Sequence, residues 1–417
     1  MAWLTNPSVL IAGLLLALYQ ILAALPWLRA IDQKGFDRGL KNPTAISYAV
    51  LALGGLGLGF AAFLGYTGQS SSLTLYGKVY GAVLHLQLLV DGFVVVPQLF
   101  ALVMPKTGAV ALAAFRESCR QPMFWLIGGF AVLLMAIAIV TPYFTFGDDY
   151  KMMKQIGFDI AKLAAMLFGI LAASISISEE IEGRTAITVM SKPINRRQFL
   201  FGKFLGILMA CGAMTLILGW FLNWALLVNP AYDKISYDDK TIVDTLAEQA
   251  RVAIAPTLKA AVTSSIGQIF AEGAGFWIAD TCAHTVGLAL GFGQVMILVA
   301  ITSALATRLP FVLNIVIELL IYFLGNLAPV VVKVTDRIQE QGESGVGTGL
   351  VRFFSQLFDT FLPALDTFNM SPAIVRDTPL PLGAFALYVV SVIGYSILYT
   401  VIAMLIGLLL FEDRDLA

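Results

Sequence analysis

The sequence predicts an all-α polytopic membrane protein, on three observations. Of its 417 residues, 59% are hydrophobic and 13% charged, whereas a soluble domain is about half apolar and a quarter charged; the mean hydropathy is +0.84. The apolar residues gather into runs of about twenty, the length that crosses a hydrocarbon core with every backbone amide bonded inside its own helix. Most Lys and Arg of the short connections fall on one side if the runs simply alternate, as in a chain that keeps its positive loops cytoplasmic.

The runs are residues 9–28, 45–66, 82–104, 123–142, 156–178, 199–227, 286–306, 311–332 and 382–411, or about nine transmembrane helices. A secretory signal carries its positive charge before the apolar run. Here the first basic residue, Arg29, follows it, so the first run is expected to stay as a span with its N-terminus outside. Arg29, Lys34, Arg38 and Lys41 lie between spans one and two, Lys106, Arg116 and Arg120 between three and four, and Lys192, Arg196 and Arg197 between five and six. With Arg308 and Arg414 they put these connections and the C-terminus in the cytoplasm; Lys78, Lys151 and Lys154 are an outward minority.

Two long segments, about 228–285 and 334–380, then face outward as polar loops. In the first, Val243, Leu246, Ala247, Ala250 and Ile254 share a face of an amphipathic helix over 241–255, with Pro256 as its stop. A second stripe, Leu258, Ala261, Val262, Ile266, Ile269 and Phe270, is expected in the interface. Were it to cross the membrane the later spans would invert, but Glu272 and Asp280 oppose that, given the cost of a buried carboxylate. Residues 109–121 read as a short helix ending at Pro122, either flat at the membrane surface or a plain connector.

Composition also excludes classes. A net charge of −1 supplies no basic surface for a phosphate backbone, so no nucleic-acid partner is expected. Cys119, Cys211 and Cys282 stand at unrelated spacings, which fits neither a disulfide framework nor a zinc site, and no metal is expected.

One connection is unlike the rest: SEEIEGRTAITVMSKPINRRQFLFGK, residues 178–203. Glu179, Glu180 and Glu182 collect just outside a span, and Gly183 permits a sharp change of direction. Thr185 to Ser191 is long enough for about two helical turns, with Ile187 and Met190 on one side, until Pro193 forbids continuation. Asn195, Arg196 and Arg197 then anchor the next span at the headgroups. On charge pattern alone this is more simply an ordinary solvated loop.

The run Glu179-Glu180-Ile181-Glu182-Gly183-Arg184-Thr185, then Ser191-Lys192-Pro193, Arg196-Arg197 and Gly202-Lys203, resembles the first cytoplasmic loop of type-2 ABC transporter (ABC-2) permeases. In that family these residues form a coupling helix that docks into the separate ATP-hydrolysing subunit. Arg116-Glu117-Ser118, Arg120 and Pro122-Met123-Phe124-Trp125 are similar to the family's elbow helix. The stretch from Pro142 to Asp149 and Thr307-Arg308-Leu309-Pro310 resemble the branch of multicopper-enzyme-maturation permeases. The resemblance covers residues 109 to the end, a six-span permease unit (108–417), and leaves 1–107 as a three-span accessory bundle.

It implies a permease subunit in a bacterial-type plasma (inner) membrane, with an ABC-type ATPase as partner and a second permease, a copy or a paralogue. ATP and Mg²⁺ are then expected on the partner. Consistently, the phosphate-cradling pattern G-x-x-x-x-G-K-[ST] is missing; Gly77-Lys78 and Gly202-Lys203 are followed by Val and Phe. Gly342-Glu343-Ser344-Gly345 formally matches a serine-protease pattern, yet a nucleophilic Ser needs a base and the chain has two His in all. The chain is therefore expected to be no enzyme by itself.

Intramembrane polar groups call for a functional hypothesis. Asn314, Glu318 and Tyr322 are four apart, one stripe of span eight, and would line a transport path or dimer seam, or else bond a neighbouring helix. Gln87 and Asp91, with His85 nearby, repeat the spacing on span three, and Asp159 and Lys162 are expected to neutralise each other. A proton-coupled secondary transporter would also use such carboxylates and is the main rival. A non-transporting membrane anchor for an ATPase is the other.

Overall fold

The computed structural model describes residues 6–66, 70–141, 149–182, 194–229, 244–262, 265–340, 346–374 and 378–412. Every regular element among them is helical: α1 (Pro7–Ile31), α2 (Gln33–Gly39), α3 (Pro43–Tyr66), α4 (Ser70–Val103), α5 (Pro105–Arg120), α6 (Pro122–Val140), α7 (Asp149–Glu182) and α8 (Arg196–Val228). There follow α9 (Thr245–Ala260), α10 (Ser265–Leu305), α11 (Phe311–Glu340), α12 (Val346–Phe361), a 3₁₀ turn (Leu365–Phe368), α13 (Ser371–Ile374) and α14 (Leu382–Glu412). Among the described residues nine helices are long and apolar enough to cross a membrane, and they coincide with the nine runs read from the sequence.

Two compact units form. The first comprises Met1–Gln98, Asp238–Thr285 and Asp377–Pro379, the second Leu99–Tyr237, Val286–Arg376 and Leu380–Ala417. Compactness thus does not follow chain order, because the segment around α9 and the first half of α10 packs with α1, α3 and α4. Val9, Ala12, Ala61, Leu64, Leu73 and Phe270 make a buried cluster in this unit. The approach of α4 to α10 is backbone-close: a Cβ on Gly77 would strike the Phe270 carbonyl, and one on Gly273 the Thr74 carbonyl. Small residues let helices approach in this way where lipid offers no hydrophobic drive. Tyr80 donates to the Leu16 carbonyl (2.9 Å) and Gln20 to Gln87 (2.6 Å).

Two expectations are corrected in the segment 228–285. The amphipathic helix is α9, and Pro256 does not stop it; the helix runs on to Ala260. The Thr257 hydroxyl donates to the Ile254 carbonyl (2.6 Å), and Lys259 in the last turn pairs with Glu272 (2.9 Å), so local and tertiary bonds hold the turns beyond the proline. The interfacial stripe is not a separate piece: Ile266, Ile269 and Phe270 open α10, which continues unbroken into span seven. At 1.5 Å per residue, its 41 residues make a helix of about 60 Å, twice the hydrocarbon thickness of ~30 Å. One crossing leaves about half of it outside the hydrocarbon, and the carboxylates there are paired. Asp280 takes a two-point contact from Arg251 (2.6 and 2.9 Å).

In the second unit α7, α8 and the later part of α10 are the central helices. Their span windows are 67%, 56% and 72% buried, against 11% for α3 and 6% for α4, whose surfaces the rest of the chain leaves largely uncovered. The segment 334–380, read as a polar loop, is largely ordered. Helix α11 extends to Glu340, and α12 is an amphipathic helix packed on it. The sequence reading passed over its apolar spacing because Gly, Gln and Ser flank it.

Candidate functional site: the charged end of the second unit

The stretch 178–203 begins on α7 and ends on α8. Glu179, Glu180 and Glu182 do not lie beyond the helix: α7 continues through them to Glu182 without a break. Gly183, Arg184, Thr185, Ile187, Met190, Ser191, Lys192 and Pro193 lie outside the described residues. On the far side Asn195 and Gln198 form a capping box for α8, the Asn195 amide donating to Gln198 (3.2 Å). Arg196 and Arg197 occupy its first turn.

Lys203 is the hub of this end. Its side chain is 7% exposed, and its ammonium lies 2.6 Å from Glu180, 3.2 Å from Glu117 and 3.0 Å from the Ser176 hydroxyl. Three donors meet three acceptors from α7 and α5, which satisfies a group that is otherwise costly to bury. Ser178 reaches the Leu309 carbonyl (3.2 Å) and ties the same turn of α7 to the loop before α11.

Arginines close the other side. The last carbonyls of any helix lack partners, and cations are favoured there by the helix dipole. On α14 they are met by Arg308, donating to Leu410 (2.7 Å), and by Arg196, donating to Phe411 (2.9 Å) and Glu412 (3.0 Å). Arg196 also stacks over the Phe411 ring at 5.7 Å, and Arg197 pairs with Glu412 at 3.3 Å. A belt of charge-assisted bonds therefore joins α5, α7, α8, α14 and the turn before α11.

The elbow residues Arg116, Glu117, Arg120 and Pro122 belong to this end too. Helix α5 starts earlier than read, at Pro105, and buries Val110, Ala111, Ala114, Phe115 and Ser118. It lies close along α8, where a Cβ on Gly206 would stand 2.5 Å from both the Ala111 carbonyl oxygen and the Ala114 Cβ. Arg116 and Arg120 are exposed, whereas Glu117 reaches Lys203. Pro122 begins α6 after the extended residue Gln121, and Trp125 donates back to the Cys119 carbonyl (3.0 Å). Burial pushes the Cys119 thiol up to about 11, so it is a neutral bystander.

Asn314, Glu318 and Tyr322 share one stripe of α11, as spaced, and Asn326 extends it. Asn314 donates to the Ser174 hydroxyl (3.0 Å) and the Thr302 carbonyl (3.2 Å). Glu318 is 0% exposed, and neither carboxyl oxygen has a well-aligned partner among the described residues. The neighbouring Thr302 hydroxyl is engaged by the Leu298 carbonyl (2.8 Å). Asp159 and Lys162 pair at 2.8 Å.

Ser176 and Glu412 were missed by sequence reasoning, and Lys203 and Arg308 entered it only as parts of the quoted motifs and charge pattern. Lys203 had a signal, a cation two turns into an apolar helix. Its partners lie 86 and 23 positions away, and no local spacing reveals them. Among the described residues no group of three His, Cys, Asp or Glu could hold a metal.

No curated protein is detectably similar to the chain. Residues 109–416 match the family described as ABC-2 family transporter protein, beginning four residues into α5 and reaching the last charged residues after α14. The elbow, the belt and the polar stripe of α11 all fall within that match, and the chain belongs to the ABC-2 transporter family.

Proposed function

We propose that the chain is the membrane-spanning permease subunit of an ATP-binding cassette transporter, and that it couples ATP hydrolysis on a separate ATPase chain to substrate movement. The observation that carries this reading is the Lys203 belt. Both anchor points of residues 183–193, the end of α7 and the start of α8, are locked to the elbow and to α14. A push on a helix near Thr185 to Ser191 would thus move several spans together.

In this reading Ile187 and Met190 are the apolar contact with the ATPase. Glu179, Glu182, Gly183, Arg184, Ser191, Lys192 and Pro193 shape and orient it. ATP and Mg²⁺ sit on the partner, and a second permease, copy or paralogue, completes a complex of two permease and two ATPase chains. The chain lies in a bacterial-type plasma membrane with its N-terminus outside, its C-terminus and the belt cytoplasmic. Residues 108–417 form the permease unit and 1–107 an accessory bundle. The likeness to multicopper-enzyme-maturation permeases is the finer assignment within the family.

The test is co-purification in mild detergent with ABC-type ATPases of the same cell. ATP-sensitive capture by wild type, abolished when Ile187 and Met190 are both replaced by Asp, is expected. Capture unchanged in that variant would sink the coupling assignment.

A second reading, a proton-coupled carrier, draws on Glu318, whose burial without a well-aligned partner is what such a carrier would use. The two readings part on energy source. Under the first, transport in proteoliposomes survives a collapsed proton gradient and Glu318→Gln alters at most its rate. Under the second, both treatments abolish transport.

A further inference from the structure

The cleft between α11 and α12 is not used by the belt or by the polar stripe. It has a volume of about 290 Å³ and is walled by Leu324, Leu327 and Val331 from α11 and by Val351, Phe354 and Phe358 from α12. The Ser355 hydroxyl is the one polar side-chain group in its lining. The cleft opens to the surface of the chain and is not an enclosed void.

Its position says what does fill it. α11 is a candidate span, and residues 324–331 lie about 20 to 30 Å along it from Phe311, at 1.5 Å per residue. That is the last third of a ~30 Å hydrocarbon core on the far side from the charged belt. Helix α12 runs back along α11. Arg352 meets Asp336 (2.9 Å) at one end, and the chain just past its other end, at Pro363 and Leu365, lies against Gly325. It therefore descends into the depth of one leaflet. Its outward face agrees, because Phe353 and Phe361 are 59% and 73% exposed, a patch that water disfavours and acyl chains accept.

At the α11 end beyond Val331 stand Lys333, paired with Asp366 (3.0 Å), and Asp336, paired with Arg352, at the level of headgroups. We propose that this cleft is a phospholipid site: one acyl chain lies between α11 and α12, and the phosphate meets Arg352 and Lys333. The occupant is a lipid of the leaflet opposite the belt. The site stands independently of the coupling assignment.

The test uses the full chain in nanodiscs of phosphatidylcholine doped with a phospholipid carrying a photoreactive diazirine in its acyl chain, with adducts mapped by mass spectrometry. Adducts on 324–331 and 350–358 are expected to be several-fold richer than on the lipid-exposed face of α3. Filling the cleft with Ala328→Phe should remove that excess and leave the α3 adducts unchanged. Ser355→Leu, a gentler filling, should lower it should the first variant fail to accumulate. Adducts no richer than on α3 would overturn the proposal. So would an excess indifferent to filling.

Discussion

Lys203 concentrates the residue-scale argument. A side chain 7% exposed holds two carboxylates, Glu180 at 26% and Glu117 at 49% exposure. Removing the cation strands Glu180 more than Glu117, because water still reaches the latter. Lys203→Met is therefore expected to cost roughly 2 kcal/mol, below the figure for a fully buried pair. Thermal unfolding in detergent would read this as a lower Tm. Adding Glu180→Gln should recover part of the loss, since it removes the stranded charge. A Tm unchanged in the single variant would show that the pair contributes nothing. Glu318 is the opposite case, a carboxyl group held by the packing of its helix with no cation paired to it among the described residues. The spacing of Asn314, Glu318 and Tyr322 made the stripe legible, while the direction it faces came from packing.

At the scale of elements, the interface between α5 and α8 sets whether the elbow can act as part of the belt. Gly206 faces Ala111 and Ala114, with the Phe115 amide nitrogen 2.9 Å from where a Cβ would be. Gly206→Val forces these helices apart and, as an overpacking change, should cost about 1–3 kcal/mol. The separation would also lengthen the contact from Glu117 to Lys203. The expected readout is a lower Tm, together with faster proteolysis after Arg116 and Arg120 than in wild type. Equal cleavage would mean that the elbow does not rest on this glycine. The existence of the nine spans was legible, because twenty-residue apolar runs have no other stable form in lipid, while that of α12 was not. Nor were element ends. Helix α7 runs past the end of its apolar run and α10 begins before the start of its own, since Glu180, Glu272 and Asp280 find partners on other helices. Hydropathy scores those carboxylates as stops, and only a tertiary contact can make them helix.

For the whole molecule, the first three spans are not a separable appendage. Phe270 shares its buried cluster with Val9, Ala61 and Leu73, and Gly273 lies against Thr74. Deleting residues 1–98 takes these partners away and should expose the first half of α10. The expected outcome is reduced accumulation in the membrane and new cleavage between 245 and 285 by a protease added from that side. A truncated chain that accumulates and resists protease as wild type does would show that 99–417 is self-sufficient. The sequence by itself determined the class, the nine spans and the family, because each is written in local composition or short motifs. The tertiary structure decided which charges are paired, where the long helices end and which outer segment packs with the first three spans. Those depend on partners dozens to hundreds of residues away, as Lys203 with Glu117 and Arg196 with Phe411, and such pairings are fixed by packing that no local spacing encodes.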